Sequence, residues 1–96
     1  MIIGTIRHKG LRRFYRSDDP SGLPPALVDK IRKTVAALRY VETIEELRAL
    51  PTWRLHQLAG DRKGVWSAHI SANWRLTFTV VGVPPIVDDL DLEDYH

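Results

Sequence analysis

The chain has 96 residues, 44% hydrophobic and 27% charged, with no cysteine and a formal net charge of +2. This is an ordinary globular balance, so it excludes a disordered chain; the missing cysteines exclude disulfides and thiolate metal sites. No apolar run approaches the roughly 18 residues that a membrane-spanning helix needs. The first residues, Met1 to Arg7, lack the charged start and long apolar core of a secretory leader, so a cytoplasmic protein is expected. With no linker, repeat or low-complexity tract, residues 1–96 read as a single domain.

In chain order, the β-branched run Ile2-Ile3-Gly4-Thr5-Ile6 predicts a first strand. Leu11, Phe14 and Tyr15 then fall at helical spacing within 8–16, with bases on the opposite face. Ser17 to Gly22 is a turn-rich break, and a second helix is expected from near Pro24, where proline suits the first turn. Leu27, Val28, Ile31, Val35 and Leu38 make its apolar stripe. Thr43-Ile44-Glu45-Glu46 has the form of a capping box, opening a short helical turn that Pro51 ends. The period then changes, and 53–58, 65–70, 74–81 and 85–90 each read as strands. The clearest is 74–81, where Trp74, Leu76, Phe78 and Val80 alternate with Arg75, Thr77 and Thr79. The expected architecture is α+β: two N-terminal helices packed on a mainly antiparallel sheet of roughly four to five strands.

Charge is distributed unevenly. Residues 1–16 carry Arg7, Lys9, Arg12, Arg13 and Arg16 and no acid, whereas Asp88, Asp89, Asp91, Glu93 and Asp94 crowd the other end. Such asymmetry suits one polyanion-facing surface, although a merely solvated basic helix face would read the same way.

If the apolar side of each strand faces the helices, His56 and Arg75 fall on the other side, and Tyr95 and His96 follow the last strand. Two imidazoles, a guanidinium and a phenol suit phosphodiester chemistry on RNA, which carries its own 2′-hydroxyl nucleophile. Such cleavage needs a base for the 2′ proton, a cation for the developing charge and an acid for the departing 5′-oxygen; histidine and arginine supply these. The same residues admit a plainer reading. A strand histidine is commonly structural, Arg75 can pack its stem and pair with the acidic tail, and Trp53, Trp66 and Trp74 suit a core better than base stacking. A metal site built from His56, His69 or His96 is the weaker alternative, because no H-x₃-H or H-E-x-x-H spacing is present; no metal and no cofactor are expected.

Motifs now weigh in. Leu55-His56-Gln57-Leu58-Ala59-Gly60-Asp61-Arg62-Lys63-Gly64-Val65-Trp66-Ser67 resembles the L-H-x-L-x-G-D-R-x-G-x-W-S segment of HigB-type toxins in the RelE-like superfamily. Asn73-Trp74-Arg75-Leu76-Thr77-Phe78 is similar to their N-W-R strand, Asp94-Tyr95-His96 to their D-Y-H end, and His8-Lys9-Gly10-Leu11 to the opening of their first helix. The resemblance runs nearly end to end. It implies a RelE-like fold and a toxin that cuts mRNA in the ribosomal A site without a metal. It also implies neutralisation by a cognate helix-turn-helix antitoxin, with operator DNA bound only through that complex.

Carried over residue by residue, the resemblance implies catalytic roles for His56, Arg75, Tyr95 and His96; beside them, Arg54, Arg62 and Lys63 are the nearby cations expected to bind RNA or phosphate. One position departs from the pattern: where relatives carry a lysine before the glycine of G-D-R, this chain has Ala59. Arg62, Lys63 or Arg54 is then expected to supply the missing charge. The alternative is a catalytically weak toxin-like protein that serves as antitoxin-binding co-repressor partner.

Overall fold

The computed structural model describes residues 1–94, and its two longer helices are anchored by the apolar spacing noted above. Helix α1 (Lys9–Ser17) buries Gly10, Leu11 and Phe14 on one face. His8 caps its start, its Nδ1 accepting the Leu11 N–H at 3.0 Å, and left-handed Asp18 ends it by donating to the Phe14 carbonyl at 2.9 Å. Arg12 is not a solvated base: its guanidinium donates to the Ile6 carbonyl at 3.0 and 2.8 Å. A turn at Pro20–Gly22 then packs against α1.

The second helix starts later than expected. Pro24 takes an extended ψ of 123°, as a residue preceding proline must, so Pro25–Leu27 form only a 3₁₀ turn before α2 (Val28–Tyr40) begins. Its buried face is Ile31, Thr34, Val35 and Leu38; the Thr34 hydroxyl is satisfied by donating to the Lys30 carbonyl at 2.7 Å. Arg32 joins the two helices, stacking 4.7 Å from the Phe14 ring centroid and reaching Asp18 at 2.8 Å. Helix α3 (Ile44–Arg48) contributes Leu47 to the core. The predicted capping box does not close: Thr43 makes no side-chain cap bond, and Glu46 accepts instead from the Glu42 N–H at 3.4 Å.

The strands are β1 (Ile2–Ile3), β2 (His56–Gln57), β3 (Trp66–His69), β4 (Trp74–Val81) and β5 (Ile86–Asp94), in the sheet order β1-β5-β4-β3-β2. Only β1 runs parallel to its neighbour. Three strands depart from expectation. Strand β1 keeps only Ile2–Ile3 of the expected run, with Ile6 making an isolated parallel bridge to Leu90. Strand β2 is shorter, because Pro51–Trp53 form a 3₁₀ turn closed by left-handed Arg54 at φ 45°, whose N–H returns to the Pro51 carbonyl at 3.2 Å. Strand β5 continues through the acidic segment, since β4 is long enough to pair with it as far as Trp74 opposite Asp94.

A bulge makes that continuation possible. Register shifts between Thr77 and Thr79, and Asp89 opposite adopts φ 52°. The extra residue rephases β5, so that Val87, Leu90 and Leu92 are all buried. Thr5 secures it: Asp88 Oδ1 accepts the Thr5 N–H at 2.9 Å, and the Asp89 N–H donates to the Thr5 hydroxyl at 2.9 Å.

The core lies between the helices and one sheet face, where Leu11, Ile31, Leu38 and Leu47 meet Ala68, Leu76, Phe78, Val87 and Leu90, all fully buried. Trp53, Trp66 and Trp74 pack at its border, and Arg48 stacks over Trp66 at 5.7 Å. Among the described residues no helix is long and apolar enough to cross a membrane.

Candidate active site

Sheet register decides which side chains meet. The row Ala68, Leu76 and Leu92 across β3, β4 and β5 is buried in the core. Side chains alternate along a strand, so the flanking rows present the other face. One is His56, Ser67, Thr77 and Asp91; the other is His69, Arg75 and Glu93. Residues separated by up to 37 positions thus share one surface (His56 and Glu93 being the extremes).

A cavity of about 310 Å³ opens on this face, lined by Arg54, His56, Ser67, His69, Ser71 and Arg75 among others. His69 reads from the sequence as a weaker metal-ligand candidate on a strand side opposite to Trp66, Ala68 and Ile70; the register brings it beside Arg75. The cavity therefore gathers three of the residues singled out from the sequence (His56, Arg75 and Arg54) with a further imidazole and two hydroxyls.

The backbone at Arg54 orients His56. The left-handed turn aims the Arg54 carbonyl at His56 Nδ1, 3.0 Å away. A carbonyl oxygen only accepts, so this contact requires the proton on Nδ1 and leaves Nε2 of the neutral ring as an acceptor.

Arg62 and Lys63 stand elsewhere. Arg62, at the end of the 3₁₀ turn Gly60–Arg62, makes a two-pronged pair with Glu93 at 2.8 and 2.5 Å, and the Thr77 hydroxyl also donates to that carboxylate. The guanidinium contact holds the Glu93 carboxyl at about 2, down from an ordinary 4.5, against the opposing effect of burial; Thr77 and the nearby Arg75 charge add to the lowering. The same pairing raises the Arg62 pKa. Arg62 thus tethers its turn to β5, a role that no local pattern announces. Lys63 and Ala59 are exposed on that turn and do not line the cavity. Tyr95 and His96 lie outside the described residues. Of the remaining histidines, His8 serves as the helix cap. Among the described residues, no three His, Asp or Glu side chains converge as a metal set.

The Glu93 tether carries a stability prediction. A carboxyl with a depressed pKa stabilises the fold above its unfolded value and loses that contribution as pH falls toward about 2. Arg62 is 41% exposed and Glu93 22%, so screening limits the effect to about 1–2 kcal/mol. Thermal melts of wild type and Glu93→Gln should differ near neutral pH and converge between about pH 4.5 and 2. A gap constant across that window would mean that the carboxylate charge is not what holds the turn.

The chain is similar to the YoeB/ParE toxin from Agrobacterium tumefaciens, with a TM-score of 0.58 at 20% identity, covering 100% of this chain and 99% of that one. It is similar also to YafQ from E. coli strain BL21(DE3), with a TM-score of 0.58 at 15% identity, covering 97% of this chain and 89% of that one. The chain shares its fold with both of these proteins. Residues 4–96 match the family described as the RelE-like toxin of type II toxin-antitoxin system HigB. Endoribonuclease HigB of Proteus vulgaris is 37% identical over 95 residues, covering 99% of this chain and 100% of that protein. The chain belongs to the HigB-like toxin family.

Proposed function

We propose that this toxin is an endoribonuclease that cleaves messenger RNA in the ribosomal A site, using residues 1–96 as a single domain and neither metal nor cofactor. The observation that carries this reading is the cavity in which His56, with Nε2 as its acceptor, meets Arg75 and Arg54. His56 Nε2 takes the proton from the 2′-hydroxyl, and the 2′-oxygen attacks phosphorus. Arg75 neutralises the charge that develops on the non-bridging oxygens. As the bond from phosphorus to the 5′-oxygen breaks, His96 returns a proton to that oxygen, and Tyr95 orients the scissile nucleotide or stacks on a base. The products are a 2′,3′-cyclic phosphate and a 5′-hydroxyl end.

Ala59 is the one observation that favours a non-catalytic co-repressor. Against it stands Arg54, which of the three cations that could replace the missing lysine is the one that lines the cavity. The partners proposed with this reading are mRNA on the ribosome as substrate and a helix-turn-helix antitoxin through which operator DNA is reached, all in the cytoplasm; membership of a toxin-antitoxin family supports the antitoxin. Lys9 and Arg16, exposed on α1, offer a cationic face to ribosomal RNA or to an acidic antitoxin surface.

Primer extension on mRNA from briefly induced cells, beside an Arg75→Ala control, tests the reading. Discrete cuts within translated codons, lost in the control and ending in cyclic phosphate, are expected. Cuts that bear 5′-phosphates, or that vanish on chelation, would overturn the mechanism. The absence of both cuts and growth arrest would transfer the assignment to the co-repressor.

A further inference from the structure

We infer that His69 is a further substrate-binding residue, donating an imidazole N–H to a non-bridging oxygen of the scissile phosphate beside Arg75. The inference rests on the endoribonuclease reading above and concerns the same cavity. His69 and Arg75 are directly opposed across β3 and β4, and both line the cavity. Directly opposed side chains on one face start about 4.5–5.5 Å apart, close enough for two donors to share one phosphate. His56 pairs with Ser67, two residues before His69 on the same strand, so it sits diagonally at about 7–8 Å. An anion held between His69 and Arg75 therefore lies within reach of the His56 ring without occupying its position.

The surroundings favour an anion. Ser67 and Ser71 hydroxyls line the same cavity, and Arg54 is a further cation at its rim. The carboxylate nearest in the register, Glu93, is engaged by Arg62 and Thr77 and is turned to that pair. His69 is half-buried, which strengthens a hydrogen bond while leaving the ring open to a ligand. In either neutral tautomer and in the charged form the ring has an N–H to donate, so the proposed contact does not depend on its protonation.

Two measurements on the full chain test this. In a translating extract, His69→Ala should lower kcat/KM by about 10- to 100-fold, the usual effect of losing a hydrogen bond to a charged group. His69→Gln, a neutral donor, should recover most of that loss and keep the wild-type pH profile. In parallel, the His69 imidazole resonances should move when a fully 2′-O-methylated RNA, which cannot be cleaved, is titrated in, and inorganic phosphate should compete. The NMR arm reads phosphate contact even if the chain makes no cuts, so the failure of the nuclease reading is distinguishable from the failure of this one. Resonances that stay still, or a His69→Ala variant within about twofold of wild type, would overturn the contact. A His69→Gln variant as slow as His69→Ala, with one limb of the pH profile lost, would overturn it in favour of proton transfer by His69.

Discussion

His56→Ala is expected to lower kcat/KM by about 10²–10⁴-fold while leaving the fold intact. The chemical loss is that of the group poised to accept the 2′ proton: the Arg54 carbonyl holds Nδ1, leaving Nε2 for the substrate. The structural loss is small, because His56 is exposed at the sheet edge and, among the described residues, its ring makes this one local bond to a residue two positions away. A surface change of that kind costs within about 0.5 kcal/mol. Single-turnover cleavage and a thermal melt of the same sample separate the two effects. His56→Gln should be no better than His56→Ala, because an amide cannot serve as a general base. Cleavage within tenfold of wild type would move the base role to another residue of the cavity.

Gly10→Ala should destabilise the protein by about 3 kcal/mol, against what helix propensity alone predicts. Alanine is favoured over glycine inside a helix by about 1 kcal/mol, so an unconstrained α1 would gain from the change. Here a Cβ at position 10 would lie 2.2 Å from the Gly22 carbonyl oxygen and 2.6 Å from its carbonyl carbon. The clash is with backbone, so α1 or the turn at Pro20–Gly22 must move. The approach is mutual, as a Cβ at Gly22 would lie 2.6 Å from the Gly10 Cα. Moving α1 disturbs Leu11 and Phe14, which fill the core below it, and overpacking of this sort usually costs about 1–3 kcal/mol. In a chain of this size each kcal/mol lowers Tm by about 4–8 °C. A melt showing an unchanged or raised Tm would refute the close approach, whereas Lys9→Ala beside it should be nearly neutral.

Gly10 also explains part of the family resemblance in physical terms. His8-Lys9-Gly10-Leu11 combines a cap, a solvated base, a residue without a side chain where two segments touch, and a core leucine. Periodicity assigns the leucine to the core and the lysine to the opposite face, but neither the cap nor the close approach.

The period-2 alternation from Trp74 to Val81 determined which side of that strand meets the helices, and the motif around His56 together with Asn73-Trp74-Arg75 pointed to the family. Both signals are local, since neighbouring residues dictate strand phase and helix faces. What the tertiary structure decided depends on partners distant in the chain. Arg62, read as an RNA-binding cation, is held by Glu93, 31 positions away. That partnership exists only because β5 runs on beside β4 after the bulge at Asp89. His69 becomes a neighbour of Arg75 only once the β3–β4 register is set. Arg54, expected inside a strand, instead closes a turn whose carbonyl orients His56. A residue's propensity and phase are carried by the few residues around it, whereas the partner of a charge is chosen by strand pairing and close approach, which no local window contains.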